Sequence, residues 1–371
     1  MTSVGVAARL YAGDGPTTVG VLALSSHAGS DVQSLHLPLG DELLLRADSR
    51  RWESRRLPTS THSMVAFTWS DQDQALVARI RARRGGSWTP WMLVPAQLDV
   101  PDGEDVGGDA VRGTDLMWIG RADGVQIRID GRRPSDLALV LLYPEPRLTD
   151  DLLDGPLGRA AVQRSADDAR VPRPELVTRK DWGANEPLRD GDPTYNHTLT
   201  QVHIHHTVNA NDYSRRDVPA LIRGMYAYHT QNLGWSDIGY NFLVDRFGRT
   251  FVGRAGGAGR LVRGAHTLGF NAESTGVSAI GNYETEQPTD AMLNAIAGIA
   301  AWKLDRFDRD PGGTVRVESE GSDNFPAGRT VRLPVIDGHR DTNDTACPGR
   351  HLYEALPRIR LLTARRIEMA N

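Results

Sequence analysis

The chain has 371 residues, of which 39% are hydrophobic and 24% are charged, and its formal net charge is −4 at pH 7. This length suffices for two ordinary domains, and the near balance of charge gives no reason to expect a nucleic-acid groove or a membrane-binding face. The longest apolar run, Leu137 to Tyr143, is too short to span a bilayer, so we expect no transmembrane segment.

The start of the chain does not resemble an export signal, because residues 1–15 lack a basic region followed by an apolar core. Either the protein stays inside the cell, or its signal was removed or lies outside this sequence. Cys347 is the single cysteine, so an internal disulfide is excluded and cysteine content does not fix the compartment.

Residues 1–145 have the alternating pattern of β-strands. Apolar side chains alternate with arginines between Leu76 and Arg83, and the run from Val125 to Asp130 alternates in the same way. Glycine-rich turns separate such segments, which predicts an all-β, sandwich-like accessory domain. Its ligand is left open, because tryptophans in a β domain serve either as core residues or as sugar-stacking surfaces; those in question are Trp69, Trp88, Trp91 and Trp118.

Residues 146–174 differ in composition from the rest of the chain. Prolines border a polar, charged stretch with little apolar content and room for one short helix. This composition is typical of an interdomain linker and predicts few contacts between the domains it joins.

Residues 175–371 alternate between strand and helix patterns. Thr200–Thr207 is predicted as a strand, and the amphipathic segment 289–307 is predicted as a helix. A further strand arrives at His339, and a final helix begins near Pro348. The pattern predicts an α/β domain of about 190 residues.

Cys347 lies eight residues after His339, in a polar loop between a predicted strand and a predicted helix. A lone thiol at such a place is a small buried hydrophobe, a nucleophile or a metal ligand. Zinc favours imidazole and thiolate, and an open zinc site uses three protein ligands. The strand Thr200–Thr207 offers His203 and His205 on one face and His206 on the other, so the residues together favour a metal site.

Five motifs in one order carry a resemblance to a known family: TRKDWGA, VHIHHTV, GWSDIGYNFLVDRFGRTFVGR, GAHTLGFNAESTGVSAIGNYE and GHRDTNDTACPG. They resemble the family of peptidoglycan recognition proteins and type 2 N-acetylmuramoyl-L-alanine amidases. The resemblance runs from about Arg179 to Arg360 and implies a catalytic domain over residues 175–371, with a central mixed sheet flanked by helices. More weakly, the first domain resembles the N-terminal domain of actinobacterial secreted members.

The resemblance implies that one zinc ion per chain binds His205, His339 and Cys347. His206 would then point away from the metal in a structural role, and we expect His203 to be buried in packing. Members that only sense peptidoglycan carry another residue at the position of Cys347, so its presence indicates a working hydrolase.

The implied reaction is zinc-dependent hydrolysis of the amide bond between N-acetylmuramic acid and L-alanine in bacterial peptidoglycan. Tyr240 and Thr345 match catalytic positions, where a hydroxyl would orient water or donate to the oxyanion. His266 and Asn271 match substrate-groove positions, and Arg254 is predicted to meet a peptide carboxylate. The chain lacks the Gly-Trp pair linked to diaminopimelate recognition, so its stem-peptide preference stays open.

Two alternatives stand beside this interpretation: a non-catalytic peptidoglycan-binding recognition protein, and an intracellular amidase that acts on recycled muropeptides. Polymeric peptidoglycan lies outside the cytoplasmic membrane, so the resemblance implies an extracellular or cell-wall-associated protein. We expect peptidoglycan or muropeptides as partners, no nucleic acid, and a monomer.

Overall fold

The computed structural model describes residues 20–26, 30–70, 76–96, 111–154 and 170–370. Within these ranges the chain forms two compact units, one ending at Glu145 and the other beginning at Pro146. We propose Glu145 as the end of the accessory domain, as the composition of the sequence predicts.

The first unit is all-β, as predicted. Its strands, β1 to β11, are Ser25–Ser26, Val32–Pro38, Leu44–Asp48, Arg51–Ser54, Leu57–Trp69, Val77–Arg84, Ser87–Trp88, Met92–Val94, Arg112–Gly113, Met117–Asp130 and Ala138–Pro144. The long strand β10 pairs first with β5 and then, from Val125 to Asp130, with β6, in antiparallel register. Strand β5 also pairs with β11. Through the long strands β5 and β10, the described strands β1 to β11 form one hydrogen-bonded sheet.

The alternation read from the sequence separates the core of this unit from its surface. Ile80 of β6 and Ile127 of β10 are fully buried and belong to one hydrophobic core. Trp69 lies in that core, whereas Trp88 and Trp91 are half-buried, each with the Arg81 guanidinium over its ring. The tryptophans therefore divide between the core and a surface in which aromatic and arginine side chains stack.

Part of the stretch predicted as a linker packs within the second unit. A short 3₁₀ helix at Leu148–Asp154 places Asp150 against Arg223, with 2.9 Å between Oδ2 and Nη2 and both side chains buried. The backbone N–H of Val171 donates to the carboxylate of Asp305 over 3.0 Å, and the Val171 side chain joins the core. The second unit therefore uses residues that precede residue 175.

The second unit is α/β, as predicted. Its strands, β12 to β18, are Gln201–His206, Phe242–Val244, Thr250–Val252, Ser274–Ala279, Thr314–Glu318, Thr330–Pro334 and Ile336–Gly338. Its α-helices, α1 to α5, are Arg179–Trp182, Val218–Ala227, Asp290–Asp305, Arg350–Glu354 and Leu356–Glu368. No helix in the described ranges is both long and apolar enough to cross a membrane.

The central sheet of this unit is mixed, with strand order β14-β13-β15-β12-β18. Strand β12 runs parallel to its neighbours β15 and β18, and β14 pairs antiparallel with β13 at the edge. Val202 and Ile204 of β12 pack into a core with apolar residues of α3 and α5. Because successive side chains of a strand point to opposite faces, His203 and His205 lie on the other face.

Candidate metal centre

The candidate ligands lie at the ends of two neighbouring parallel strands. His205 is the penultimate residue of β12, and β18 leads directly into His339, which opens a short 3₁₀ helix. Ile204 is in register with Gly338, so the residues that follow each of them come together at one edge of the sheet. Cys347 returns to this edge at the end of the loop before α4.

His205, His339 and Cys347 form a compact group with one ligand atom each, and these atoms all lie within 4.8 Å of one another. The Cys347 Sγ atom is 3.8 Å from Nδ1 of His205, and the rings of His205 and His339 are 4.8 Å apart at their centroids. All three side chains are buried. The structure thus brings together the three residues predicted as metal ligands.

This donor set fits zinc. Two imidazoles and a thiolate are ligands that zinc prefers, and three protein ligands leave its fourth tetrahedral position open for a catalytic role. Zinc bonds of about 2.0–2.3 Å place tetrahedral ligand atoms about 3.3–3.8 Å apart, so only a small contraction of the group is required.

The surroundings of these three side chains favour the protonation states that bind a cation. Burial lowers the pKa of His339 to about 3 and lowers that of His205 well below its ordinary value, with neighbouring histidines adding to the shift of each. Neutral imidazole is the form that binds metal. The backbone N–H of His206 donates to the Cys347 sulfur over 3.4 Å, which favours the thiolate.

Tyr240 and Thr345, the residues predicted to be catalytic, lie beside the candidate ligands. The Tyr240 ring is 5.9 Å from that of His205, and only 5% of the tyrosine is exposed. Thr345 is half-buried, and its hydroxyl oxygen accepts a hydrogen bond of 3.1 Å from the backbone N–H of Cys347. Both hydroxyl-bearing side chains therefore lie near the three candidate ligands.

The three residues predicted to bind substrate are all buried. His266 has its ring 5.1 Å from that of His205, and the Asn271 side-chain oxygen accepts hydrogen bonds from the backbone N–H groups of His266 and Thr267. Arg254 donates to the Ser236 hydroxyl over 2.8 Å. These residues contact protein groups in the structure, and their direct contact with a substrate stays a prediction.

The two other histidines of β12 have separate partners. Nδ1 of His206 accepts a hydrogen bond of 3.2 Å from the backbone N–H of Tyr283, in agreement with a structural role. His203 is fully buried, as expected, and its Nδ1 lies 2.6 Å from Oδ1 of Asp337. This partner depends on strand register, because β12 and β18 place His203 directly beside Asp337.

Sequence reasoning missed two residues close to the candidate ligands. Asp337 precedes His339 by two residues, and its partnership with His203 requires the parallel pairing of two strands far apart in the chain. The Thr267 hydroxyl oxygen lies 3.2 Å from Nε2 of His205. The only local signal for Thr267 is its position directly after His266 in the fourth motif.

Parts of both units match known protein families. Residues 195–350 match the family model described as N-acetylmuramoyl-L-alanine amidase, and residues 30–151 match the one described as Rv3811 N-terminal galactose-binding domain-like. Peptidoglycan-recognition protein 1 of Holotrichia diomphalia is 33% identical over 183 residues, which cover 49% of this chain and 79% of that protein. The N-acetylmuramoyl-L-alanine amidase of Homo sapiens is 33% identical over 187 residues, or 49% of this chain and 28% of that protein.

Among solved structures, wild-type Drosophila PGRP-LB is 30% identical and covers 49% of this chain and 91% of its own, with a TM-score of 0.38. The chain belongs to the family of peptidoglycan recognition proteins and N-acetylmuramoyl-L-alanine amidases, as its motifs predict. Its first unit is a galactose-binding-like β domain.

Proposed function

We propose that the second unit is a zinc-dependent N-acetylmuramoyl-L-alanine amidase, which hydrolyses the amide bond between N-acetylmuramic acid and L-alanine in peptidoglycan. The observation that carries this proposal is the convergence of His205, His339 and Cys347 within 4.8 Å in a member of this family. One zinc ion per chain would be held by these three residues. When bound, zinc supplies the Lewis acidity that makes water nucleophilic near neutral pH and polarises a carbonyl oxygen.

Two hydroxyl groups beside the ligands are proposed to act on the reacting amide. Attack on an amide places negative charge on the carbonyl oxygen, and preorganised donors at that oxygen lower the barrier. Tyr240 is the stronger candidate, because its ring packs near His205 and only 5% of the residue is exposed. Thr345 accepts from the Cys347 N–H and retains its own hydroxyl proton for donation.

Arg254, His266 and Asn271 remain our proposed substrate-binding positions. The side chains of Arg254 and Asn271 already bond to protein groups, so contact of those atoms with a sugar or stem peptide requires an exchange of hydrogen-bond partners. Arg254 is best suited to such an exchange, since a guanidinium has five donors and pairs bidentately with a carboxylate.

A recognition protein without catalysis is the alternative from another functional class. The complete His-His-Cys group argues against it, because binding a muropeptide alone does not require three convergent metal donors. An intracellular amidase that acts on recycled muropeptides would have the same site and differ only in location. We propose the extracellular or cell-wall-associated location and a monomer with peptidoglycan as its partner.

Incubation with soluble muropeptides distinguishes an amidase from a recognition protein without catalysis. The purified protein is incubated with them before and after removal of metal by a chelator, and then after zinc is restored. The proposal expects free stem peptides in the first and third reactions and none in the second. Muropeptides that bind to the zinc-loaded protein and are recovered intact would favour recognition without catalysis.

A further inference from the structure

A series of buried polar side chains leads away from the candidate metal ligand His205. Nδ1 of this ring faces the Cys347 sulfur at 3.8 Å, and Nε2 faces the Thr267 hydroxyl oxygen at 3.2 Å. The same hydroxyl oxygen lies 2.9 Å from Nδ1 of His266. His205, Thr267 and His266 are all 0% exposed, so bulk water does not compete for these contacts.

Hydrogen-bond chemistry favours one proton arrangement in this series when His205 binds a metal through Nδ1, because the two histidines are the only partners of the Thr267 hydroxyl among the described residues. Its metal-facing Nδ1 must then be unprotonated, so Nε2 carries the proton and donates to Thr267. The Thr267 hydroxyl then donates a hydrogen bond to Nδ1 of His266. That nitrogen is therefore the acceptor, and the neutral His266 ring carries its proton on Nε2.

Asn271 holds the middle of the series in place. Its side-chain oxygen accepts from the backbone N–H of His266 over 2.8 Å and from that of Thr267 over 3.0 Å. Two hydrogen bonds to consecutive backbone groups fix the segment that carries both side chains. The Thr267 hydroxyl is thereby directed at His205 by the backbone as well as by its own contacts.

The pair of His203 and Asp337 lies at the far end of the series. Nδ1 of His203 lies 2.6 Å from Oδ1 of Asp337. A carboxylate can only accept, so a His203 ring with one proton carries it on Nδ1 and leaves Nε2 as an acceptor. Nε2 of His203 and Nε2 of His266 are both buried and have no hydrogen-bond partner among the described residues, and the two rings lie 5.8 Å apart. One nitrogen is a donor and the other an acceptor, so the two are complementary.

We propose that Thr267, His266 and the His203–Asp337 pair are positioning residues that hold His205 in the tautomer that binds metal through Nδ1. The two complementary Nε2 atoms make no direct hydrogen bond in the structure, and one buried water molecule between them would satisfy both. This inference rests on the proposed function, because it assigns the series to the same metal centre. Groups bonded to the second nitrogen of a ligating histidine orient the ring and raise its basicity.

Imidazole ¹⁵N NMR of the zinc-loaded full chain tests the tautomers directly. The inference expects the proton on Nδ1 of His203 and on Nε2 of His266, and expects His205 to bind zinc through Nδ1. A zinc-loaded His266 that carries its proton on Nδ1, or a His205 bound through Nε2, would overturn it. This readout uses the unmodified protein and does not depend on the folding of any variant.

Zinc affinity of Thr267→Val gives the second test, because this substitution keeps the shape of the side chain and removes the hydroxyl. Zinc competition with a chromophoric chelator should show binding weakened by about 10–100-fold, and Thr267→Ser should restore it. Thr363→Val is the matched control: its buried hydroxyl donates within α5, away from the metal group, so zinc affinity should not change.

Failure of the proposed function and failure of this inference give different results. Absence of zinc binding by the unmodified chain would remove the proposed function and this inference together. If the unmodified chain binds zinc tightly and the Thr267→Val variant binds it with the same affinity, the inference alone is overturned.

Discussion

The Sγ atom of Cys347 lies 3.8 Å from Nδ1 of His205, although 142 residues separate them in the sequence. Parallel pairing of β12 with β18 brings the strand ends together, and the loop after His339 returns the thiol to that edge. The two atoms are close enough to share one metal ion after a small contraction. The proposed chemistry depends on this relationship.

Replacement of Cys347 by serine should abolish tight zinc binding. A neutral hydroxyl is a harder and weaker ligand than a thiolate, so affinity should fall by orders of magnitude. Metal analysis of protein prepared without chelator should give about one zinc per unmodified chain and far less for the variant. Equal zinc contents would show that the ion is held elsewhere.

Tyr240→Phe should keep zinc and fold while lowering kcat by about 10²–10³, the usual effect of losing one donor to an oxyanion. The ring still fills its buried position, so the loss of packing is small. Steady-state kinetics should show kcat and kcat/KM falling together with KM nearly constant.

Tyr226→Phe is the control for that variant, because its hydroxyl donates to the Asn185 carbonyl, away from the candidate ligands. It should alter stability slightly and turnover hardly at all. An unchanged rate for zinc-loaded Tyr240→Phe would assign Tyr240 a structural role.

Thr345→Val should reduce turnover and leave the zinc content near one per chain. The substitution removes a hydroxyl that accepts from the Cys347 N–H and that we propose to donate to the reacting carbonyl. Thr345→Ser keeps the hydroxyl and should recover most of the activity. Loss of zinc from the valine variant would instead indicate that Thr345 mainly positions the cysteine loop.

A fragment of residues 146–371 should be more stable than a fragment of residues 175–371. The shorter fragment lacks Asp150 and leaves Arg223 buried without its carboxylate partner, a change that typically costs about 3–5 kcal/mol. It also lacks Val171, which belongs to the core. Urea unfolding measures both fragments, and Asp150→Asn in the longer one isolates the ion pair. Equal midpoints would show that residues 146–174 contribute nothing to this unit.

Acid should destabilise the second unit partly through His229. Burial lowers the pKa of His229 to about 3 from an ordinary value of 6.5, so the folded state resists a proton that the unfolded chain accepts. Its stabilising contribution is complete above pH 6.5 and is lost as the pH falls toward 3, with about 2–3 kcal/mol lost by pH 4.5.

Urea unfolding of His229→Gln at pH 7 and pH 4.5 measures this contribution. The variant loses the ring contact with Trp235 and should be less stable at pH 7, yet its stability should fall less between the two pH values. His197→Gln, at an exposed position, should keep the pH dependence of the unmodified chain. The same fall in stability for His229→Gln would exclude His229 as a source of acid sensitivity.

The sequence predicted the parts of the molecule that depend on local patterns. Period-two alternation located β6 and β10 with their buried faces, and the ordered motifs identified the family and the three residues that converge in the structure. It missed contacts that depend on tertiary pairing. The parallel register that places His203 beside Asp337 is not encoded in either strand alone, and Asp150 looked like a solvated linker residue because its partner Arg223 is 73 positions away.

The burial of His266 and Asn271 was likewise beyond local reasoning. Both are polar residues in a glycine-containing loop, a setting typical of an exposed substrate groove. In the structure Asn271 is fully buried because its side-chain oxygen satisfies two backbone N–H groups. The hydrogen-bond requirement of the loop backbone decided the position of this side chain.

The central claim, that the zinc-loaded protein cleaves the lactyl–alanine amide, is tested most directly by mass spectrometry of digested peptidoglycan. We predict stem peptides released with a free L-alanine amino terminus and glycan strands that retain muramic acid with a free lactyl carboxylate. The Cys347→Ser variant should release none. Zinc-loaded protein that binds peptidoglycan but leaves every lactyl–alanine bond intact would contradict the account.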